Sequence, residues 1–314
     1  MQALVGIFFA LALVIASLLV MTALCAFLAA RAAPPQGRFV TIDGQRLHIV
    51  DVGDGPVLFL IHGLTGNIRH FSHSLIERLG GQFRVIAVDR PGSGYSRRAP
   101  GASARVRAQA ATLAKLIRAL ELGRPLVVGH SLGGGVALAL ALDAPDCVGG
   151  LALLAPCTHP MSAPPALFRG LVVASPLARK IIAWTLAAPM GLLQMRKGVR
   201  AAFAPSPAPR DFGTRGGGLL MLRPSNYIAA SEDLVAANRD LRDMVALYPG
   251  LSIPAGVLYA RNDALLDFSA HGVALKEELP ALELELHDDG GHMLPITTPD
   301  RAADFIRRMA AKLG

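Results

Sequence analysis

The chain has 314 residues, 52% of them apolar, and 31 Lys and Arg against 23 Asp and Glu, for a formal net charge of +8. That length suits one or two domains with ample chain for a large core. With few aromatics, no Lys/Arg block and no nucleic-acid motif, the charge reads as a generic basic surface or as attraction to anionic lipid headgroups, not as nucleic-acid binding; Cys25, Cys147 and Cys157 show neither metal-ligand spacing nor a disulfide framework.

Residues 3–30 carry no charged side chain, and Ser17 and Thr22 are their only hydroxyls. At ~1.5 Å of rise per residue such a run exceeds a ~30 Å hydrocarbon core, so residues 1–31 read as a single-pass transmembrane anchor. A cleaved signal peptide is the competing reading, but it calls for a positive leading segment and a shorter apolar stretch. A lipoprotein site at Cys25 calls for a small residue where Leu24 stands. Arg31 and Arg38 follow the span and only the α-amino group precedes it, which favours a cytoplasmic location for the domain beyond. Residues 32–37, with Pro34-Pro35-Gln36-Gly37, read as a linker.

Strands begin at Arg38–Ile42 and Gln45–Val52, flanking the hairpin signal Asp43-Gly44. Val57–Ile61 is a continuous apolar run, expected to be a strand buried on both faces, and it ends in His62-Gly63-Leu64-Thr65. The spacing predicts a helix over 68–79, a strand at Arg84–Val88 followed by the loop Asp89-Arg90-Pro91-Gly92-Ser93-Gly94, and an amphipathic helix over 104–120.

Leu126, Val127 and Val128 are a short buried-strand signal, and from Val136 the chain is Ala/Leu-rich and helix-forming. It must therefore reverse within Gly129-His130-Ser131-Leu132-Gly133. A serine in such a Gly-x-Ser-x-Gly turn is held up and exposed, and its flanking glycines let strand and helix approach closely. The helix that follows aims unsatisfied N–H groups and its positive dipole end at whatever the serine attacks. A phosphate-binding loop is the plainer alternative, but its Gly-Lys-Ser/Thr is missing.

A strand over 151–155 follows. From residue 157 to 253 Pro and Gly recur, and 167–193 hold two apolar helical patterns that include the only tryptophan, Trp184. This reads as a helical lid, not as a second span, because Arg169, Arg179 and Lys180 interrupt the apolar run and Pro176 and Pro189 break it. The strand–helix rhythm then resumes with Ala255–Ala260, a helix over 268–279, a strand over 282–287 and an amphipathic helix over 299–313. Alternation of this kind implies an α/β fold with a mostly parallel sheet, helices on both faces and an antiparallel edge from the opening hairpin. Its core is expected in residues 38–156 and 254–314.

A serine nucleophile needs a histidine to take its proton and a carboxylate to orient that histidine. Asp263 directly follows one late strand, and His292 lies in a glycine-flanked loop after the last. Carboxyl ends of parallel strands share one rim, so Ser131, Asp263 and His292 can converge, in the chain order such sheets require. Asp267 and Asp288 are alternative acids. His130 reads as a packing residue, His70, His73, His159 and His271 as surface or lid residues, and Cys157 as packing.

Together, Gly129-His130-Ser131-Leu132-Gly133, His62-Gly63, Asp89 to Gly94, Asp263 and Gly291-His292 resemble the α/β-hydrolase superfamily from residue 38 onward. The resemblance implies Ser131 as nucleophile, His292 as base, Asp263 as acid, and the N–H groups of Leu64 and Leu132 as an oxyanion hole. It requires no metal and no cofactor. Haloalkane dehalogenases and epoxide hydrolases place an aspartate where Ser131 stands, which argues against both. The expected activity is hydrolysis of a carboxylic ester with a lipophilic group, the lid (Leu167, Leu171, Ile181, Ile182, Trp184, Leu186) setting chain-length preference. A C–C hydrolase or perhydrolase on the same three residues, and a lipid- or partner-binding scaffold without turnover, are the rival readings.

Overall fold

The computed structural model describes residues 1–314. Eight strands form one sheet: β1 (Arg38–Ile42), β2 (Gln45–Val52), β3 (Val57–Ile61), β4 (Arg84–Val88), β5 (Leu126–His130), β6 (Gly150–Leu154), β7 (Ala255–Ala260) and β8 (Glu283–His287). Their spatial order is β1-β2-β4-β3-β5-β6-β7-β8. The β1–β2 and β2–β4 pairs are antiparallel and every other pair is parallel. Asp43 (φ 48°) and Gly44 (φ 74°) both adopt the left-handed conformation that a two-residue hairpin needs, with Ile42 paired directly to Gln45.

Eleven α-helices complete the chain. The first, α1 (Gln2–Ala32), is the long apolar one, and no other helix is long and apolar enough to cross a membrane. Next come α2 (Arg69–Ser72) and α3 (Leu75–Leu79), where the spacing predicts one helix. The break at Ser74 (φ −146°) lets Phe71 of α2 and Leu75, Ile76 and Leu79 of α3 all join the main core, with His70 buried as well. Helix α4 (Val106–Ala119) buries one stripe, as its spacing dictates. Helix α5 (Leu132–Asp143) is buried from Leu132 to Ala141, which explains why it is apolar all round.

Between β6 and β7 lies an all-helical cap. It comprises a short 3₁₀ segment (Ala166–Leu171), α6 (Pro176–Thr185), α7 (Ala187–Phe203), a second 3₁₀ segment (Gly218–Leu222) and α8 (Pro224–Val245). Helix α8 has no clear apolar stripe in the sequence, because its buried face includes polar residues such as Asn226, Ser231, Asp233 and Asp240. Helices α9 (Ala274–Glu278), α10 (Leu294–Thr297) and α11 (Pro299–Ala310) finish the fold. A widened π-type turn at Ser269–Val273 precedes α9, so the helix expected over 268–279 is irregular in its first half.

Cap and core meet through buried charge. Arg90 pairs with Asp233 of α8 at 2.7 Å, and Arg98 reaches the same carboxylate at 2.5 Å. The far end of α1 also docks: Thr22, Ala29 and Ala33 are buried, and the Tyr95 hydroxyl donates to the Ala33 carbonyl at 2.7 Å.

Candidate active site

The turn between β5 and α5 holds Ser131 at φ 54°, ψ −124°, a strained backbone region for a residue with a side chain. Close approach enforces it. A Cβ on Gly133 would lie 2.1 Å from the Ile61 carbonyl oxygen, and one on Gly129 2.7 Å from that of Gly133. The Ser131 N–H donates to the Leu154 carbonyl at 3.1 Å, and its own carbonyl accepts from Gly134 and Cys157. The turn is thus pinned from β6, the helix and the cap entrance at once.

His292 follows β8 in a loop whose Gly291 abuts the cap; a Cβ there would lie 2.1 Å from the Ala204 carbonyl oxygen. Its Nδ1–H donates to Asp263 Oδ2 at 2.8 Å, leaving Nε2 as the free ring nitrogen. The other carboxylate oxygen accepts from the N–H groups of Leu265 (2.8 Å) and Leu266 (3.0 Å). Burial alone would raise the Asp263 pKa, but the charge and hydrogen bond of His292, with those two N–H groups, outweigh it and hold the carboxyl below its ordinary range. Asp288 is exposed and pairs with Arg261, and Asp267 accepts from the Ser269 N–H, so neither touches His292. Ser131 and His292 line the same cavity with no hydrogen bond closed between them; such bonds often tighten only when substrate is bound.

Two N–H groups beside Ser131, those of Leu64 and Leu132, have no partner in the protein. The orientation of the Leu64 group is fixed from behind. Buried Arg90 donates Nε–H to the His62 carbonyl (2.8 Å) and a terminal N–H to the Gly63 carbonyl (2.9 Å). In a trans peptide the N–H opposes the carbonyl, so the Leu64 N–H points away from Arg90. The Arg90 N–H donates to His62 Nε2 at 2.9 Å, so the proton of His62 sits on Nδ1, which donates to the Gly63 carbonyl. Burial, and then the charge of Arg90, push the His62 pKa far down. Gly63 itself must be bare: a Cβ would lie 2.7 Å from that of Ser131. Asp89 shapes the neighbouring loop by accepting from the N–H groups of Ile68 and Tyr95 and from His48.

Above Ser131 lies a cavity of about 520 Å³, lined mainly by apolar cap residues such as Phe168, Leu171, Ile182, Leu186, Met190 and Leu222. Of the lid residues expected to face substrate, Leu167, Leu171, Ile182 and Leu186 line it. Trp184 does not, which corrects the expectation that it binds substrate. It is 46% exposed on the outer side of α6, as is Ile181 at 55%. Apolar helical spacing marks a face without saying which way the helix is rolled.

Two further histidines line the cavity. His130 sits beside His292, ring centroids 5.0 Å apart, and donates its Nε2–H to the His292 carbonyl at 2.9 Å, which bears out packing as its place. His70, expected at the surface or in the lid, is buried against the cavity with no side-chain hydrogen bond from either nitrogen. Burial, then the charge of His292, lowers its pKa to about 4. Burial leaves His130 at about 3, again with His292 as the next cause. In the sequence, His70 is marked only by its place after the His62-Gly63 turn, and Arg90 by its place directly past an apolar strand.

No cluster of His, Cys, Asp and Glu side chains could hold a metal ion. The site offers instead a serine on a strained turn, a histidine braced by a buried carboxylate, two free N–H groups and an apolar cavity.

Comparison with known proteins agrees with this architecture. A thermophilic esterase from Thermogutta terrifontis superposes with a TM-score of 0.70 at 25% identity, over 88% of this chain and 99% of its own. A bacterial membrane phospholipase A shares the fold at a TM-score of 0.72 and 22% identity, over 99% of this chain and 98% of its own. In sequence, the 2-hydroxy-6-oxo-2,4-heptadienoate hydrolase of Pseudomonas putida is 35% identical over 120 residues, 38% of this chain and 44% of that protein. The chain thus matches less than half the length of such curated relatives. The sequence profile of the alpha/beta hydrolase fold matches residues 56–299, most of the chain, and on that match the protein belongs to the alpha/beta hydrolase fold family.

Proposed function

We propose that the chain is a membrane-anchored serine hydrolase that cleaves a carboxylic ester with a lipophilic group. The observation that carries this reading is the arrangement under one apolar cavity of Ser131 on its turn, the His292–Asp263 hydrogen bond and the unpaired N–H groups of Leu64 and Leu132. Ser131 Oγ attacks the ester carbonyl as His292 Nε2 takes its proton, and Asp263 stabilises the imidazolium. The Leu64 and Leu132 N–H groups receive the oxyanion. His292 then protonates the leaving alcohol, and a water deprotonated by His292 releases the acid from Ser131.

Residues 1–31 act as an uncleaved anchor in this reading, residues 38–156 and 254–314 as the catalytic core and 157–253 as the cap. Arg31 and Arg38 favour a cytoplasmic core. The test is labelling of the full chain with a fluorophosphonate, followed by turnover of p-nitrophenyl esters of graded length. Labelling at Ser131, lost in Ser131→Ala together with several orders of magnitude of turnover, is expected. A Ser131→Ala variant that kept more than about a tenth of the activity would remove Ser131 as nucleophile.

A C–C bond hydrolase on the same residues is the second reading, favoured by the similarity to the heptadienoate hydrolase. Its mark would be cleavage of a vinylogous diketone with no turnover of simple esters.

A further inference from the structure

The exposed surface of α6 and α7 is built unlike the rest of the molecule's surface. Leu177, Ile181 and Trp184 on α6 stand at i, i+4 and i+7, and Leu186, Met190 and Leu193 repeat that spacing into α7, so each set lines one helix face. All six are exposed, Leu193 at 80%. Around them Arg169, Lys180, Arg196, Lys197 and Arg200 are exposed and form no ion pair, and no Asp or Glu occurs between Cys157 and Arg210. Elsewhere surface arginines are mostly paired, as Arg78 is with Asp300, Arg107 with Asp143 and Arg118 with Asp146. An apolar face ringed by unpaired cations suits an anionic lipid surface.

Helix α1 fixes where that face lies. It packs against α6, α7 and the Gly218–Leu222 segment, and its buried and half-buried residues begin only at Leu18. The stretch before Leu18 is too short, at ~1.5 Å per residue, to cross a ~30 Å hydrocarbon core. A crossing α1 must therefore bring the membrane boundary alongside the residues that pack on α6 and α7. We infer that the outer face of the cap, centred on Trp184 and Leu193, docks on the anionic bilayer that α1 spans. Leu186 and Met190, which line the cavity and are also exposed, then form a rim that opens at the lipid surface.

The inference rests on the reading of α1 as a retained anchor, and its readout is side-chain position, so its failure is distinct from a failure of ester hydrolysis. Trp184 is the only tryptophan, so its emission reports the cap alone. The full chain, with intact mass measured to verify that α1 is present, is reconstituted in phosphatidylcholine–phosphatidylglycerol vesicles. Lipids brominated on the acyl chain are expected to quench Trp184 roughly twofold, as for a ring ~5–10 Å below the headgroup boundary, while aqueous iodide leaves it unchanged. Charge reversal at Arg196→Glu, Lys197→Glu and Arg200→Glu together is expected to abolish most of the bromolipid quenching. Quenching by iodide and not by bromolipid would overturn the docking. So would shielding from both, which would mean that protein, such as a second copy of the chain, covers the face. Bromolipid quenching untouched by the charge reversal would overturn recognition of anionic lipid.

Discussion

Arg90 and Asp233 meet at 2.7 Å with neither side chain exposed, one at the rim of the sheet and the other on the cap helix α8. The same guanidinium holds the carbonyls of His62 and Gly63, so one buried cation both fastens the cap and sets the loop beside Ser131. Removing one partner of a buried pair strands the other charge, at a cost of about 3–5 kcal/mol. Arg90→Met is expected to lower stability by that amount in urea unfolding of the detergent-solubilised chain. Arg90→Met with Asp233→Leu should recover part of it, because the Asp233 carboxylate is then gone as well and Arg98, its other partner, keeps its ion pair with Glu232. Additive losses in the double variant would refute the coupling.

Asp263 is the carboxylate that touches His292. An amide there favours the wrong tautomer and cannot stabilise imidazolium, so Asp263→Asn should reduce ester turnover by about 10⁴. Asp288→Asn should leave it unchanged, since that side chain is exposed and away from His292. A mild Asp263→Asn beside a severe Asp288→Asn would move the role to the other residue.

Acid should unfold the protein through its histidines before its carboxylates. Burial lowers His70 to about 4, His130 to about 3 and His271 to about 4. An unfolded chain binds protons at these groups near the ordinary 6.5, whereas the folded chain does not. Stability is therefore full above about pH 6.5 and falls as pH drops toward 4, by up to about 1.4 kcal/mol per pH unit for each group. Urea midpoints between pH 7 and 4.5 test this. His70→Phe, which removes an imidazole with no hydrogen bond to lose, should flatten the decline. An unchanged pH dependence in that variant would place the effect elsewhere.

Chain-length preference should follow the cavity lining. Turnover, as kcat/KM, is expected to rise from acetate toward medium-chain esters, because each buried CH₂ contributes about 0.8 kcal/mol. Gly191 lines the cavity on α7, facing Leu222. Gly191→Phe should exclude a few methylenes from it; losing three would cost about 2.4 kcal/mol, roughly 50-fold on the longer esters. Acetate turnover should change little. Trp184→Ala, outside the cavity, should leave the profile of detergent-solubilised enzyme unaltered; a flattened profile there would show that Trp184 reaches substrate after all.

Much of this was legible in the sequence because the signals are local. Two-residue hairpin chemistry at Asp43-Gly44, unbroken apolar runs at β3, β5 and β7, and a serine where a strand runs straight into a helix each depend on a few adjacent residues. The positions of Asp263 and His292 just past strand ends were legible for the same reason, since strand ends share a rim. Periodicity also identified the apolar faces of α6 and α7. It could not give their roll, so Trp184 was expected inside and lies outside, because a helix with apolar residues on more than one side can bury any of them. For a related reason, the burial of His70 and Arg90 was not legible. Whether a polar side chain is buried is decided by what the rest of the chain packs over it, and here that is a cap more than a hundred residues away in sequence. The sequence favoured Asp263 over Asp267 and Asp288 as the partner of His292 by its place at a strand end, but the hydrogen bond itself is a matter of tertiary packing, because a contact across two loops depends on where their strands are placed in the sheet.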